Sequence, residues 1–476
     1  MPKARPRPDQ AAEPWRESRP GTGARVEPGS DETGAGDAAD AAVEIAAPAA
    51  EADAVPARGG MFRSLRIYNY RLFASGGVVS NTGTWMQRTA QDLLILDLTK
   101  GSAAALGLAT TLQFMPQLLF GLWGGGLADR YPKRPVLIIA QSIMGVLALT
   151  LGLLVVTGTV AEWHVYAMAF VVGMVACVEV PTRQSFVAEM VGKADLPNAI
   201  ALNGSIFNLA RVVGPALAGV LIYALGGPGP IFLVNAVSFA AVISGLIFMR
   251  KAELNPSERV PRAKGQLREG LRYVLDRPEL LMPMLLIGFV SMFAQSFGMS
   301  IALMAGTVFD AGAASFGVAS SAFAIGALAG ALLAARRVKP SRKLIVGGAV
   351  SFALLQMLSA LMPWYPLYLA ALIPAGMAMI TVNTAANAAV QIATSAEMRG
   401  RVMGIYVLVF TGGVPVGATV LGWLAELGGP RAGVMMTGVL TLAGVGLATA
   451  LTKVITRRRS SRAVVRGVAA APGGAR

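Results

Sequence analysis

The sequence predicts an all-helical membrane protein of twelve transmembrane spans, arranged as two pseudo-symmetric six-span halves. Three observations carry this expectation. Hydrophobic residues make up 54% of the 476 residues and charged residues only 14%, against about 25% charged in soluble domains. Mean hydropathy is +0.59. Residues 72–452 divide into apolar segments of about 20 residues, the length of a helix that crosses a bilayer. Basic residues cluster in alternate loops, the pattern left when Lys and Arg stay on the cytoplasmic side.

The elements follow in order. Residues 1–60 are rich in Pro, Ala, Gly, Asp and Glu. They cannot bury a core, so a disordered cytoplasmic tail is expected. No apolar run ending in a small-residue cleavage site makes this a secretory signal. The spans are predicted at 72–96, 103–127, 136–157, 164–184, 200–223 and 229–250, then at 281–307, 315–335, 343–362, 366–392, 402–424 and 432–452. Residues 251–280 form the longest internal loop, with a helical pattern at 265–277. That loop divides a first half, 61–250, from a second, 281–455; a basic cytoplasmic tail, 456–476, follows. The halves share a pattern: Gly214-Pro215, Gly219 and Leu225-Gly226-Gly227 in the fifth span correspond to Val414-Pro415, Gly417 and Leu427-Gly428-Gly429 in the eleventh. Two halves related by an axis along the membrane normal give such a repeat.

The net charge of +15 raises nucleic-acid binding, and the placement of the charge argues against it. Basic clusters fall at Arg250–Arg272, Arg336–Lys343 and Arg457–Arg459, while the intervening loops hold little beyond Lys100 and Arg431. This places both termini in the cytoplasm. One cysteine, Cys177, and one histidine, His164, leave no disulfide and no Cys/His metal site. The 22 methionines suit adaptable packing. No Gly-x-x-x-x-Gly-Lys-Ser/Thr loop occurs, so ATP-driven transport by this chain is not expected. Nothing in the sequence points to an enzyme or a cofactor.

The segment Gly125-Gly126-Leu127-Ala128-Asp129-Arg130-Tyr131-Pro132-Lys133-Arg134 resembles the loop signature between the second and third helices of the major facilitator superfamily. It departs at Pro132, where that family usually has Gly, and has Lys133 for the commoner Arg. Ser80–Ala90, Pro181–Val187, Leu196–Asn203, Ala210–Gly219, Arg399–Tyr406 and Gly412–Gly417 are together similar to a branch of bacterial exporters that includes the enterobactin exporter and actinobacterial drug-export-like proteins. The resemblance covers residues 61–455 and implies the major facilitator fold. Gly214, Pro215 and Gly219 also resemble the fifth-helix motif of antiporters in that superfamily, with Ala201, Ala210 and Ala218 where the motif has Gly.

Ionisable groups inside the spans are few, and each is a functional candidate because charge at membrane depth costs several kcal/mol, about 2.5 or more. They are Arg88 and Asp92 in the first span, Glu179 and Arg183 in the fourth and Arg211 in the fifth, all in the first half. Asn81, Trp85, Arg88 and Asp92 share one helical stripe. Asp92 is the first candidate for proton carrier, against a static Arg88–Asp92 pair. Glu179 is the second, against a structural latch with Arg183. Arg211 is expected to pair with Glu179 or Asp92, or to bind an anionic cargo group. Gly125, Asp129, Arg130, Lys133, Arg134 and Arg183 are read as gating residues. The resemblance implies that Arg183 meets Asp129 and that Asp129 caps a helix in the other half, that of the eleventh span. Candidate cavity walls are Asn81, Trp85, Gln113, Phe114, Asn208, Phe297, Asn383 and Asn387, a mixed aromatic and amide lining.

The expected function is secondary active transport, export of a small amphipathic molecule (a drug, siderophore or secondary metabolite) in exchange for protons. The alternatives are an uncoupled facilitator or importer, or a membrane sensor on the same fold. The expected partners are the cargo, protons and the bilayer of a bacterial cytoplasmic membrane, with the chain acting as a monomer and without metal or nucleic acid.

Overall fold

The structure, a computed structural model, describes residues 62–255, 266–294, 296–309, 312–335, 340–395 and 398–469. Side chains at 122, 128, 129, 193, 266, 267, 312–314, 335 and 456–469 are outside that description. The tail at 1–60, the loop residues 256–265, Gln295, Arg336, Arg337, Lys339 and the end of the basic tail therefore lie outside the described residues. So do the side chains of Asp129 and Arg457–Arg459.

All regular structure among the described residues is helical. The main helices are α1 (Tyr68–Leu98), α2 (Ala103–Arg130), α3 (Lys133–Val156), α4 (Glu162–Ala224) and α5 (Gly229–Phe248). Then come α6 (Gln266–Leu275), α7 (Pro278–Ala294), α8 (Phe297–Leu303), α9 (Gly312–Ala335), α10 (Arg342–Ala360), α11 (Tyr365–Ile392), α12 (Arg399–Gly412) and α13 (Val414–Ala469). Serine caps start two of them: Ser102 Oγ accepts from Ala105 N at α2, and Ser341 Oγ from Leu344 N at α10. Each satisfies an otherwise unpaired first-turn donor.

The connection between the fourth and fifth spans differs from expectation. Instead of a loop near 185–199, the chain stays helical and breaks only at Gly192, with φ 69° and ψ 177°. A similar break at Gly429, φ 84°, divides α13. Positive φ is costly for residues with a β-carbon, so glycine sets where each long helix folds back.

Among the described residues ten segments are long and apolar enough to cross a membrane. One of them, Arg399–Ile455, is 57 residues long and contains the Gly429 break. α1 is not among the ten, although it is 31 residues long, because Asn81, Gln87, Arg88, Gln91 and Asp92 lower its hydropathy. Its polarity has a destination, since these residues face internal cavities. Elsewhere the apolar surface is turned outward: Ile139, Val146, Val220, Val237 and Leu332 are exposed. A bundle with such an exterior is solvated by lipid, where only hydrogen-bonded helices or closed barrels keep the backbone satisfied.

Packing repeats between the two parts of the bundle. α2 meets α4 so closely that a β-carbon on Gly124 would lie 2.3 Å from the Cys177 carbonyl oxygen. α9 meets α11 the same way, through Gly326 at the Ile373 carbonyl and Gly376 at the Phe323 carbonyl. Small residues allow this approach where no hydrophobic force drives helices together. α6 lies against α12, with Arg401 paired to Glu269 at 2.8 Å.

The bundle is joined at one end. Near the turn at Lys100, Gly107 of α2 packs on Ala418 and Gly422 of α13, and Gly317 of α9 packs on Pro215 and Gly219 of α4. Glu426 accepts from Ser102 Oγ and Ala104 N, each at 3.2 Å, across the same contact. Accordingly Met86, Leu94, Ile95, Leu106 and Phe232 share one buried core with Ile287, Met304 and Phe352. At the opposite, basic end, Tyr70, Phe73, Leu137, Phe186 and Met190 form a separate core confined to residues 70–249.

Candidate functional site

Two cavities occupy the centre of the bundle. The first, about 300 Å³, lies among α1 to α5 and runs from Arg88 and Gln91 to Glu179, Arg183 and Leu246. The second, about 260 Å³, lies between the two parts of the bundle, where Arg88, Asp92, Gln113 and Arg211 face Ser296, Met299, Ser320 and Phe323. Trp85, Arg88, Gln113, Phe114 and Phe207 line both and form their common wall.

That wall is built from α1, α2 and α4. Gly214 of α4 sits against α1, and a β-carbon there would lie 2.5 Å from Trp85 Cβ. The close approach brings the Trp85 indole edge-on to Phe207, with centroids 5.8 Å apart. The Arg88 guanidinium lies 5.5 Å from the Trp85 ring centroid and 5.1 Å from that of Phe114, and Arg211 lies 5.7 Å from that of Trp85. The motif glycines and proline of α4 thus act on the site: Gly214 seats the tryptophan, while Pro215 and Gly219 meet α9.

Among the described residues no salt bridge joins Arg88 to Asp92, and Arg211 pairs with neither Asp92 nor Glu179. Asp92 is half-buried on the wall of the second cavity. Glu179 is 6% exposed and already engaged, at 3.0 Å from Arg183 Nε and accepting from Gln141 Nε2 at 3.1 Å. Two carboxylates therefore stand in different settings, one held in an ion pair and one facing a cavity without one.

The basic loop residues mostly brace the first half. Lys133 pairs with Glu189. Arg134 donates to the carbonyls of Leu246 at 2.5 Å and Ile247 at 2.8 Å, at the C-terminus of α5, where positive charge also favours the helix dipole. Arg130 is exposed and Gly125 half-buried. The Asp129 side chain and its expected contacts with Arg183 and the eleventh span lie outside the description.

Asn81, Trp85, Gln113 and Phe114 line the cavities; four other wall candidates line neither of the two. Asn208 is exposed and bonds its own helix at the Gly204 carbonyl. Phe297 is buried in a ring cluster with Phe323 and Phe352. Asn383 accepts from Tyr406 through its backbone carbonyl, and Asn387 accepts from Gln391. Helical periodicity does not say which polar face meets a cavity and which a neighbouring helix. Gln87, Gln91, Gln117, Gln141 and Asn235 line the first cavity and were not singled out from sequence. Asn235 donates to Gln87 at 2.6 Å. Their signal was an amide inside an otherwise apolar span, clearest for Asn235 within Gly229–Phe248.

The fold and this central site define a multi-pass membrane transporter of the major facilitator type. Residues 59–464 match the family described as transmembrane secretion effector, and the chain belongs to that family of the superfamily. It is 26% identical over 275 residues to the staphyloferrin A transporter of Staphylococcus aureus, covering 56% of this chain and 67% of that one. It is 25% identical over 346 residues to the enterobactin exporter EntS of Escherichia coli O1:K1, covering 71% and 82%. Among solved structures it is similar to an inward-facing, unoccupied bacterial homolog of the human lysosomal transporter Spinster, with TM-score 0.61, 15% identity and coverage of 82% and 97%. A POT family transporter in complex with a thioalcohol-conjugated peptide gives TM-score 0.65, 12% identity and coverage of 81% and 96%. At such identity these structures speak for the fold.

Proposed function

We propose that this chain exports a small amphipathic molecule across the cytoplasmic membrane in exchange for protons. The single observation that carries the reading is the second cavity, which both parts of the bundle line and where Asp92 is a carboxylate without a salt bridge. Alternating access places a cargo site at such an interface. A carboxylate at membrane depth is a default candidate for moving a proton. The name of the enterobactin exporter favours outward transport. The motif at Gly214, Pro215 and Gly219 favours exchange.

In this reading the basic end of the bundle faces the cytoplasm, and both termini are proposed to lie on that side of the membrane. The bundle is joined at the other end, so the cavity receives cargo from inside. Asp129, Arg130 and Arg134 gate the cytoplasmic side as the halves close over the cargo, and Asp92 takes a proton when the cavity faces out. The working unit is the monomer.

The test is uptake into inverted membrane vesicles with an imposed pH gradient, screening fluorescent dyes, antibiotics and ferric chelators. Gradient-dependent uptake that disappears in Asp92→Asn while cargo binding persists is the expected result. Undiminished uptake in that variant removes Asp92 as the proton site. Uptake indifferent to the gradient makes the chain a facilitator.

A further inference from the structure

We infer that the cavity between the two parts of the bundle takes an organic anion with a flat apolar body. The acidic group sits between Arg88 and Arg211, and the body lies against Trp85, Phe114 and Phe207. The inference deepens the reading above, since it takes this cavity as the seat of the cargo.

The cation inventory of the fold leads to it. Arg63 is paired with Asp195, Arg183 with Glu179 and Arg401 with Glu269. Arg134 and Arg431 donate to backbone carbonyls at helix ends. Of the arginines that line the two cavities, Arg88 and Arg211 stand apart from the paired Arg183. Among the described residues neither has a carboxylate within 4 Å or an acceptor for its N–H groups; their contacts are with aromatic rings. A guanidinium carries five N–H donors, and on these half-buried cavity-lining residues the ring contacts leave those donors available to a ligand.

Placement adds to this. Both guanidiniums lie about one ring away from the same indole, and both line the cavity. Like charges held together repel, and Asp92 supplies only one negative charge to that lining. A bound anion relieves that repulsion and accepts hydrogen bonds from both guanidiniums. Carboxylate, catecholate and similar groups match the planar donor fork of arginine, which binds such oxygens two at a time. A cationic cargo would meet two positive charges.

The walls define the rest of the ligand. The Trp85 and Phe207 rings are edge-to-face, and Phe114 closes the side nearer Arg88. Flat apolar groups pack on such rings in offset or edge-on geometry. Across the cavity Ser296 and Ser320 offer hydroxyls and Met299 a polarisable surface. An anion leaving through this site moves with an inside-negative potential, as an incoming proton does.

The test uses two nearly isosteric probes, the anion 2-naphthoate and the neutral 2-naphthamide, in equilibrium dialysis against the purified full chain in detergent. Wild type is expected to bind naphthoate at least about tenfold tighter than naphthamide. Arg211→Gln and Arg88→Gln should each bring the two probes near parity, and Trp85→Ala should weaken both together. Equal affinity of the probes for wild type, which needs no variant, overturns the inference. So does the absence of saturable naphthoate binding, or a preference that survives both arginine substitutions in protein that elutes as a folded monomer. Anion preference without gradient-driven uptake of any compound would refute export and leave the site standing. Gradient-driven uptake without anion preference would do the reverse.

Discussion

Gly214→Ala adds a single methyl group at the helix crossing that seats Trp85. The new carbon would lie 2.5 Å from Trp85 Cβ, 3.2 Å from the Thr82 carbonyl oxygen and 3.3 Å from Met86 N. None of these is the free end of a side chain, so relief requires α1 and α4 to separate. Overpacking of this kind costs about 1–3 kcal/mol, and the lack of a flexible neighbour puts the cost near about 3. Alanine returns about 1 kcal/mol through helix propensity, leaving a net loss of about 2 kcal/mol. The same substitution at Gly204, on the same helix with nothing within 4 Å of a β-carbon, should stabilise by about 1 kcal/mol. Thermal unfolding in detergent reads the pair, and ligand-induced quenching of Trp85 fluorescence in a single-tryptophan background reads the displaced wall. The two variants should shift Tm in opposite directions, with Gly214→Ala losing about tenfold or more in cargo affinity. Equal stability of the two, or unchanged affinity in Gly214→Ala, would refute the account of the motif as the seat of Trp85.

Glu179→Ala strands Arg183, so folded protein in the membrane should fall, with a loss of about 3 kcal/mol; the double variant with Arg183→Ala should recover part of it in the same unfolding assay. Arg134→Ala removes two charge-assisted bonds to the end of α5 and should cost about 1.5 kcal/mol, read as a lower Tm, while Lys at that position recovers only part. Glu426→Ala removes the carboxylate from the start of α2 and should shift the population toward the state open at that end by about two- to fivefold, since such charge–dipole contacts are worth about 0.3–1 kcal/mol. Spin labels on the two flanking turns, read by pulsed distance measurements, give the shift; an unchanged distribution would show that the glycine contacts alone hold that end closed.

Much of the fold was legible because a bilayer imposes a one-dimensional rule. Each crossing needs a long apolar run, and basic residues mark alternate turns. The rule failed locally where its premises did. α1 is too polar for it, because a helix facing internal cavities carries amides and charges that lipid would not tolerate. The expected loop near 185–199 is helical because one glycine with positive φ turns the chain without interrupting the hydrogen-bonded run for long.

The candidate site was legible in part. Intramembrane charges are rare enough to stand out singly, so Arg88, Asp92, Glu179, Arg183 and Arg211 could be named from sequence. Their partners could not. Spacing of four residues on one helix suits Glu179 and Arg183, which pair, and equally suits Arg88 and Asp92, which do not. The difference lies in what surrounds each: Gln141 from α3 helps hold the first carboxylate, whereas Trp85 and Phe114 draw the second guanidinium toward their rings. The wall candidates Asn208, Phe297, Asn383 and Asn387 fail to reach either cavity for the same reason, since a residue's helical face is local and the neighbour it meets is not.

By itself, then, the sequence determined that the chain is a membrane helix bundle and which charges lie inside its spans, because hydropathy and charge act residue by residue against a planar solvent. Tertiary structure alone decided which of those charges are neutralised and which are left facing a cavity. That depends on helices far apart in the chain meeting at glycines, where the distance between two backbones sets what a side chain can reach.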